Sequence, residues 1–415
     1  MTKKIFLASL LATVSITSCN NSPEVSEGMD EPLAPIIQEQ IDRIDLTTGE
    51  EACRDATNGL ALEMLASLHE QGKGTVVSPL SLTMLLGMLG NGATPQTQQE
   101  IKGLLGLSGD GLSAVNGYCQ KMLTQVPLID SQVTIEQGCG LFLNKPRQVS
   151  APYMDHVVEA YRPSVRTLDF SSAEAVEEVN SWVSSQTHGM IADLLQRGSL
   201  SASDALCAVN ALFFQAPWAS RFDKAKTRQE AFAGGAMVSM MQQEGVFLYG
   251  EDAHAQTLRL PYSNGSFSMT VVLPREGVAL ADLLPTLDTD SWGRLQLRVV
   301  DVRLPKINAE FTAKERLTKW LAAKVPSAFS QTEGFGTLCK DETVRLSFVM
   351  QKSRMVTDED GATAAAATAT DLAMANDDHA PAPLAFHANR PFVYAITEGS
   401  TGTILFIGVY NGDGR

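Results

Sequence analysis

Glu359-Asp360-Gly361-Ala362-Thr363-Ala364-Ala365-Ala366-Ala367-Thr368-Ala369-Thr370 is the stretch that decides how this chain folds. Two acids and a glycine lead into nine positions that hold only Ala and Thr. A flexible linker would favour Gly, Ser, Pro and charge. A segment that begins as an exposed loop and later becomes a buried strand needs something else: no charge, no bulk and no proline. Taken alone, the stretch also admits an Ala-rich helix or a plain loop, since Ala is the best helix former. Its flanks have to choose.

Upstream, residues 343–357 read as one long extended run. Downstream, 392–396 and 403–410 read as two apolar strands that close the chain as a hairpin. Further back, strand-like alternation or β-branching marks 133–143, 205–214, 257–261, 267–273 and 295–304. Helical spacing marks 50–68, with Ala56, Leu60, Leu65 and Leu68 on one face. Ser78-Pro79 and Thr94-Pro95 each pair a cap with a first-turn proline, opening helices over 80–89 and 96–105; the first is almost wholly apolar and so reads as buried. Residues 173–195 are amphipathic around Val176, Val179, Trp182 and Val183, and 311–321 read as a helix. Helices gather in the first half and strands in the second, which predicts an α+β fold with mainly antiparallel sheets.

The N-terminus reads as a secretory signal. Met1-Thr2-Lys3-Lys4 is followed by an apolar run over 5–16, too short for a spanning helix, and then by Thr17-Ser18-Cys19. Small residues before a cysteine resemble a bacterial lipobox, so 1–18 is read as a lipoprotein signal and Cys19 as the acylated residue. Several acyl chains make a durable membrane anchor where one does not. Asn20 after the cysteine favours the outer membrane, so a cell-envelope protein is expected, periplasmic or surface-exposed. Residues 19–48 are polar, acidic and proline-containing, as befits a tether. No later break divides 49–415, which is read as a single domain.

A net charge of −15 argues against nucleic acid and heparin-like polyanions as partners. Cys53, Cys119, Cys139, Cys207 and Cys339 are widely spaced and odd in number, so buried thiols are expected, with one bridge allowed. The six histidines lack metal spacing, and no GxSxG, SxxK, HExxH, Walker A or GxGxxG motif occurs. Neither an enzyme nor a cofactor is expected.

One family resembles this chain over about residues 50–412. Phe386-His387-Ala388-Asn389-Arg390-Pro391-Phe392-Val393-Tyr394-Ala395-Ile396 and Thr403-Ile404-Leu405-Phe406-Ile407-Gly408 are the most specific blocks. Ser78-Pro79-Leu80-Ser81, Asn180-Ser181-Trp182-Val183, Asn210-Ala211-Leu212-Phe213-Phe214, Trp218 and Leu304-Pro305-Lys306 support them in order. These blocks closely resemble the serpins, serine protease inhibitors.

The resemblance implies three sheets, about nine helices and an exposed reactive loop over about 358–380. It also implies a suicide mechanism acting on a target protease: cleavage acylates the protease, and the loop then inserts as a new central strand of the large sheet. In a strand, Ala362, Ala364, Ala366 and Thr368 share one face and Thr363, Ala365 and Ala367 the other. The first set is small enough to enter a packed interior. Gly361 is the hinge. The resemblance places Glu359 and Trp218 where insertion starts, and Ser78, Ser81 and Asn210 in a polar cluster beneath the sheet. Gln351 stands where the family usually has His, and it cannot titrate. Family spacing puts the reactive bond at Ala375-Asn376, with Met374-Ala375 and Leu372-Ala373 as neighbouring baits. None is basic, so elastase-like or subtilisin-like serine proteases are the expected targets, with papain-like cysteine proteases beside them. The inhibitor is read as a monomer. The alternative is a non-inhibitory member that acts as a surface binding or structural protein.

Overall fold

The computed structural model describes residues 42–412 except 108, 110, 111, 234, 341 and 363–381; the side chains of 290, 291 and 362 are not described either. Cys19, the signal and most of the tether lie outside the described residues. So do Thr363, Ala364, Ala365, Ala366, Ala367, Thr368, Leu372, Met374, Ala375 and Asn376.

The described helices are α1 (Thr48–Leu68), α2 (Pro79–Gly90), α3 (Pro95–Leu104), α4 (Ser113–Thr124), α5 (Ala151–Tyr161), α6 (Ala173–Gln186), α7 (Leu280–Leu283) and α8 (Glu315–Lys324). The strands are β1 (Thr75–Val77), β2 (Thr134–Asn144), β3 (Ser164–Leu168), β4 (Leu206–Pro217), β5 (Arg228–Ala231), β6 (Met237–Glu251), β7 (Ala255–Tyr262), β8 (Phe267–Pro274), β9 (Gln296–Pro305), β10 (Ile307–Ala313), β11 (Phe335–Cys339), β12 (Glu342–Val344), β13 (Gln351–Thr357), β14 (Gly361–Ala362), β15 (Leu384–His387), β16 (Phe392–Glu398) and β17 (Ile404–Tyr410). This is the expected α+β class.

A sheet ordered β1-β17-β16-β8-β7-β6-β9-β15, with β5 also on β6, contains the closing hairpin. β6 is long enough to pair with β5 at its start, with β9 over Met240 to Tyr249 and with β7 at its end, so hydrogen bonding fuses two of the three expected sheets into one. The large sheet has the opposite fate. β14-β4-β2-β3 form one ladder and β10-β13 another, and among the described residues no ladder joins β4 to β13.

Alternation along β4 sets its two faces. Cys207, Val209 and Ala211 belong to a cluster with Val176, Val179, Trp182 and Val183 of α6. Leu212, Phe214 and Ala216 face the main core. The buried helix α2 lies on that core side. It is capped by Ser78, whose Oγ accepts from the Ser81 amide at 3.2 Å, and it starts on Pro79. All twelve of its residues are buried, which explains an apolar composition that no amphipathic surface helix would carry.

Three sequence expectations change. The helix read over 173–195 ends at Gln186; the rest crosses the sheet as an irregular strap held by Asn180, which donates to the Leu195 carbonyl and accepts from its amide. The helix read over 311–321 is displaced to Glu315–Lys324, because Phe311 and its neighbours are taken by the β10–β13 ladder. The extended run 343–357 splits into β12 and β13. The five described cysteines are free and buried. Burial pushes the Cys139 and Cys339 thiols up to about 11, which makes them poor nucleophiles.

Candidate functional site

The site is built where β13 turns into the Ala/Thr segment. Asp358 and Gly361 close a tight turn, with the Asp358 amide donating to the Gly361 carbonyl at 3.0 Å. Gly361 then pairs with Pro217 and Ala362 with Ala216, antiparallel, at the head of β4. Only glycine fits at 361. Its φ is +119°, and a Cβ there would lie 2.5 Å from both the Ala216 carbonyl oxygen and the Trp218 nitrogen.

Trp218 holds this turn from β4's end. Its backbone amide donates to the Asp360 carbonyl at 3.0 Å and its indole Nε1 to the Asp358 carbonyl at 2.9 Å. The indole stacks on Tyr262 with centroids 4.3 Å apart, which fixes the donor.

Glu359 is buried at 4% exposure, yet it remains well paired: Lys306 Nζ sits 2.7 Å from Oε2, and Thr227 Oγ1 donates to Oε1 at 2.7 Å. Burial alone would raise its pKa. Lys306 and Thr227 outweigh burial and hold the carboxyl below the usual range. The next acid, Asp360, is met by Lys224 and by Arg221 at 3.7 Å. The two acids before Gly361 are therefore pinned to three basic side chains, Lys306, Lys224 and Arg221.

Beneath the sheet, the predicted polar cluster comes together only in part. Gln351 Nε2 donates to the Ser78 carbonyl at 2.8 Å, and Gln351 Oε1 accepts from the Ser78 amide at 2.9 Å. Ser81 is joined to Ser78 through the cap. Asn210 is separate: its Nδ2 contacts Cys139 Sγ at 3.3 Å and Met84 Sδ at 3.7 Å, while its buried Oδ1 has no partner among the described residues.

Sequence reasoning missed the partners Lys224, Arg221 and Thr227, which come from the segment after Trp218 and carry no local signal. It also missed the tie between strap and sheet. Lys352 Nζ lies 2.7 Å from Asp193 in the strap and 3.0 Å from Glu310 on β10. Thr318 of α8 grips the approach to β13, accepting from the Val349 amide and donating to its carbonyl, both at 2.9 Å.

The arrangement presents one strand edge of β4, begun by Ala362, and places β13 on the far side of the Asp358–Gly361 turn. Among the described residues no cluster of His, Cys, Asp and Glu is disposed to hold a metal ion.

Comparison with known proteins agrees with this geometry. The family model described as Serpin (serine protease inhibitor) matches residues 55–412. An uncharacterized serpin-like protein of Thermococcus kodakarensis is 31% identical, covering 85% of this chain and 84% of its own. Serpin B3 of Homo sapiens is 30% identical, with 80% and 92% covered. Among solved structures, the thermophilic serpin tengpin in its native state superimposes with a TM-score of 0.77 at 23% identity, covering 90% of this chain and 96% of its own. Thyroxine-binding globulin in complex with thyroxine gives 0.77 at 25% identity, covering 89% and 100%.

Proposed function

Because the chain belongs to the serpin family, whose members are generally protease inhibitors, we propose that it is a suicide-substrate inhibitor working by loop insertion between β4 and β13. The observation that carries this reading is the pairing of Gly361 with Pro217 and Ala362 with Ala216. It starts the new strand in the antiparallel direction that insertion requires.

Continued step by step, that register sets Ala364 against Phe214, Ala366 against Leu212 and Thr368 against Asn210. The small residues of the loop then meet the large inward residues of β4, which avoids overpacking. The outward set Thr363, Ala365 and Ala367 passes beneath the α6 strap. About a dozen ladder bonds at about 0.5–1.5 kcal/mol each supply on the order of 10 kcal/mol, comparable with the stability of a whole domain. Strand addition and release of stored strain by serpin loop insertion are general physical precedents. The race is between that insertion and hydrolysis of the acyl bond.

The reactive bond is assigned to Ala375-Asn376, with Met374 and Leu372 as secondary positions before the cut, and the targets to elastase-like or subtilisin-like proteases. The chain is further proposed to be a monomer held to the bacterial envelope through acylated Cys19, with the residues after it as tether.

The test is incubation with an elastase-like protease. An SDS-resistant covalent adduct, with release of a C-terminal peptide beginning at Asn376, is expected. Ala364→Arg, which places a cation in the inward set, is expected to turn the inhibitor into a substrate. Rapid cleavage of the wild type without an adduct, and without a rise in melting temperature afterwards, would instead support a non-inhibitory surface protein. Thyroxine-binding globulin, which by its name binds thyroxine, is a structural neighbour.

A further inference from the structure

His188 stands in the strap that follows α6. Its backbone is left-handed, with φ at +48°, and Gly189 directly after it has φ at +75°. A residue with a side chain seldom adopts that conformation and keeps it only where its surroundings over-determine it. Two contacts do so here. Nε2 lies 2.9 Å from Glu136 Oε1, and the imidazole rests on the Phe213 ring with centroids 4.7 Å apart. Glu136 of β2 and Phe213 of β4 are directly paired across their ladder, so one side chain grips both strands.

Five residues on, Asp193 meets Lys352 of β13 at 2.7 Å. Between these ties, Thr187 Oγ1 accepts from the Ile191 amide at 3.1 Å, and the Met190 carbonyl accepts from Arg354 Nη1 of β13 at 3.4 Å. Residues 188–193 therefore bridge the β2–β4 ladder to the β10–β13 ladder. They cross the boundary that no ladder closes among the described residues.

We propose that His188 is a positioning residue for loop insertion: it clasps the strap over the β4–β13 boundary, and its grip tightens when the imidazole takes up a proton. This rests on the insertion reading given above. Both contacts respond to charge with the same sign. A neutral ring offers Glu136 one hydrogen bond, whereas the cation adds an ion pair there and a cation–π contact on Phe213. The other groups around the ring do not oppose this. From α6, Glu177, Ser184 and Ser185 line the same surface groove as His188, and no Lys or Arg lines it among the described residues. Asp193, in the strap itself, is engaged by Lys352. Histidine changes charge between pH 5 and pH 8, so acid slows insertion and mild alkali frees it. The side chain is 51% exposed, and a surface pair of that kind changes a rate by about two- to fivefold.

The test compares full-length wild type with His188→Asn, since Asn tolerates the left-handed backbone and lacks the ring. Each is mixed with an elastase-like protease at pH 8 and at pH 5.5, and insertion is followed by the fluorescence of a label on the loop. Dividing the variant's rate by that of wild type at each pH cancels the titration of the protease. That ratio is expected to rise about two- to fivefold between pH 8 and pH 5.5. Hydrogen exchange of the strap amides 189–195 in the uncleaved protein reads the clasp without any protease. The ratio of variant to wild-type exchange is expected to exceed one and to rise in acid likewise. If wild type forms no adduct, the insertion reading fails, and the exchange measurement alone judges the clasp. Ratios that are equal at the two pH values, or strap amides that exchange alike in variant and wild type, overturn the proposal.

Discussion

Gln351 spans both backbone groups of Ser78, donating to its carbonyl at 2.8 Å and accepting from its amide at 2.9 Å. One neutral side chain thus ties the start of β13 to the cap of α2, the helix on which the large sheet rests. Gln351→Ala leaves two largely buried backbone groups unpaired, and a loss of about 1–3 kcal/mol in unfolding free energy is expected. Gln351→His tests the chemistry. Neutral imidazole reproduces one donor and one acceptor, whereas the cation has two donors and cannot accept from the Ser78 amide. The folded state should therefore depress that histidine's pKa. Its contribution is present above the unfolded value of about 6.5 and lost as pH falls through the folded one. A lower melting temperature at pH 5.5 than at pH 8 is expected for Gln351→His relative to wild type; parallel profiles would contradict the assignment.

Glu359 supplies a second pH dependence. Lys306 and Thr227 overcome burial and hold its carboxyl low, so its stabilisation is present above the unfolded value and lost as pH falls through the folded one. Glu359→Gln removes the charge but keeps the shape. Its stability should fall below that of wild type at pH 7 and converge on it in acid, as followed by denaturant unfolding between pH 7 and pH 3. A deficit that stays constant across that range would mean Glu359 is not charged in the fold.

At Gly361 the backbone itself decides the outcome. Its φ of +119° and the 2.5 Å separation from the Ala216 carbonyl leave no room for a side chain. Gly361→Val is expected to unpair Ala362 from Ala216. The hinge then leaves the sheet, insertion starts later, and more protease turns over per covalent adduct formed. An unchanged inhibition stoichiometry would show that the paired turn is not the starting point of insertion.

Much of this was legible in the sequence, and the exceptions share a cause. The α2 cap, the closing hairpin and the strand ends near Trp218 follow local rules, and they stand where Ser78-Pro79 and the apolar alternation put them. β6 escaped because Gln242, Gln243, Glu244 and Gly245 interrupt its alternation; long-range pairing with β9 overrides the weak local propensity. Phe311 was assigned to a helix for the same reason, since its apolar spacing fits a helix as well as the β10 edge. Lys224, Arg221 and Thr227 could not be foreseen, because their partners lie more than a hundred residues away in sequence and only the fold brings them to Glu359 and Asp360.

The strap after α6 is tied to the sheet by Lys352, which bonds Asp193 at 2.7 Å and Glu310 at 3.0 Å. Burial alone would lower the Lys352 pKa, but the two carboxylates outweigh it and raise it, so this tie is fully charged at neutral pH. Asp193 is 65% exposed, and a pair of that kind adds at most about 1 kcal/mol to stability. Its effect on rate is expected to be larger than its effect on stability, since the proposed insertion carries the new strand beneath the strap. Asp193→Ala should leave the melting temperature nearly unchanged and speed loop insertion several-fold, read by stopped-flow fluorescence of a loop-labelled protein mixed with protease. Unaltered kinetics would remove the strap from the path of insertion.

Asn210 offers the sharpest test of register. Its Oδ1 is buried without a donor among the described residues, and Nδ2 finds only the sulfurs of Cys139 and Met84. Such an acceptor costs about 1–3 kcal/mol where it stands. The antiparallel register begun by Gly361 and Pro217 brings Thr368 opposite Asn210, and residues directly opposite each other share a face. On the proposed insertion a hydroxyl arriving there satisfies the acceptor, and the native state is expected to carry a cost that the inserted state relieves. Thr368→Val keeps the shape and removes the donor. The native melting temperature should be unchanged, while the rise on loop cleavage should shrink by several degrees. In an Asn210→Ala background, Thr368→Val should no longer change that rise. If Thr368→Val leaves the cleaved form as stable as before, the inserted strand runs in a different register, and the hinge pairing at Ala216 and Pro217 does not template it.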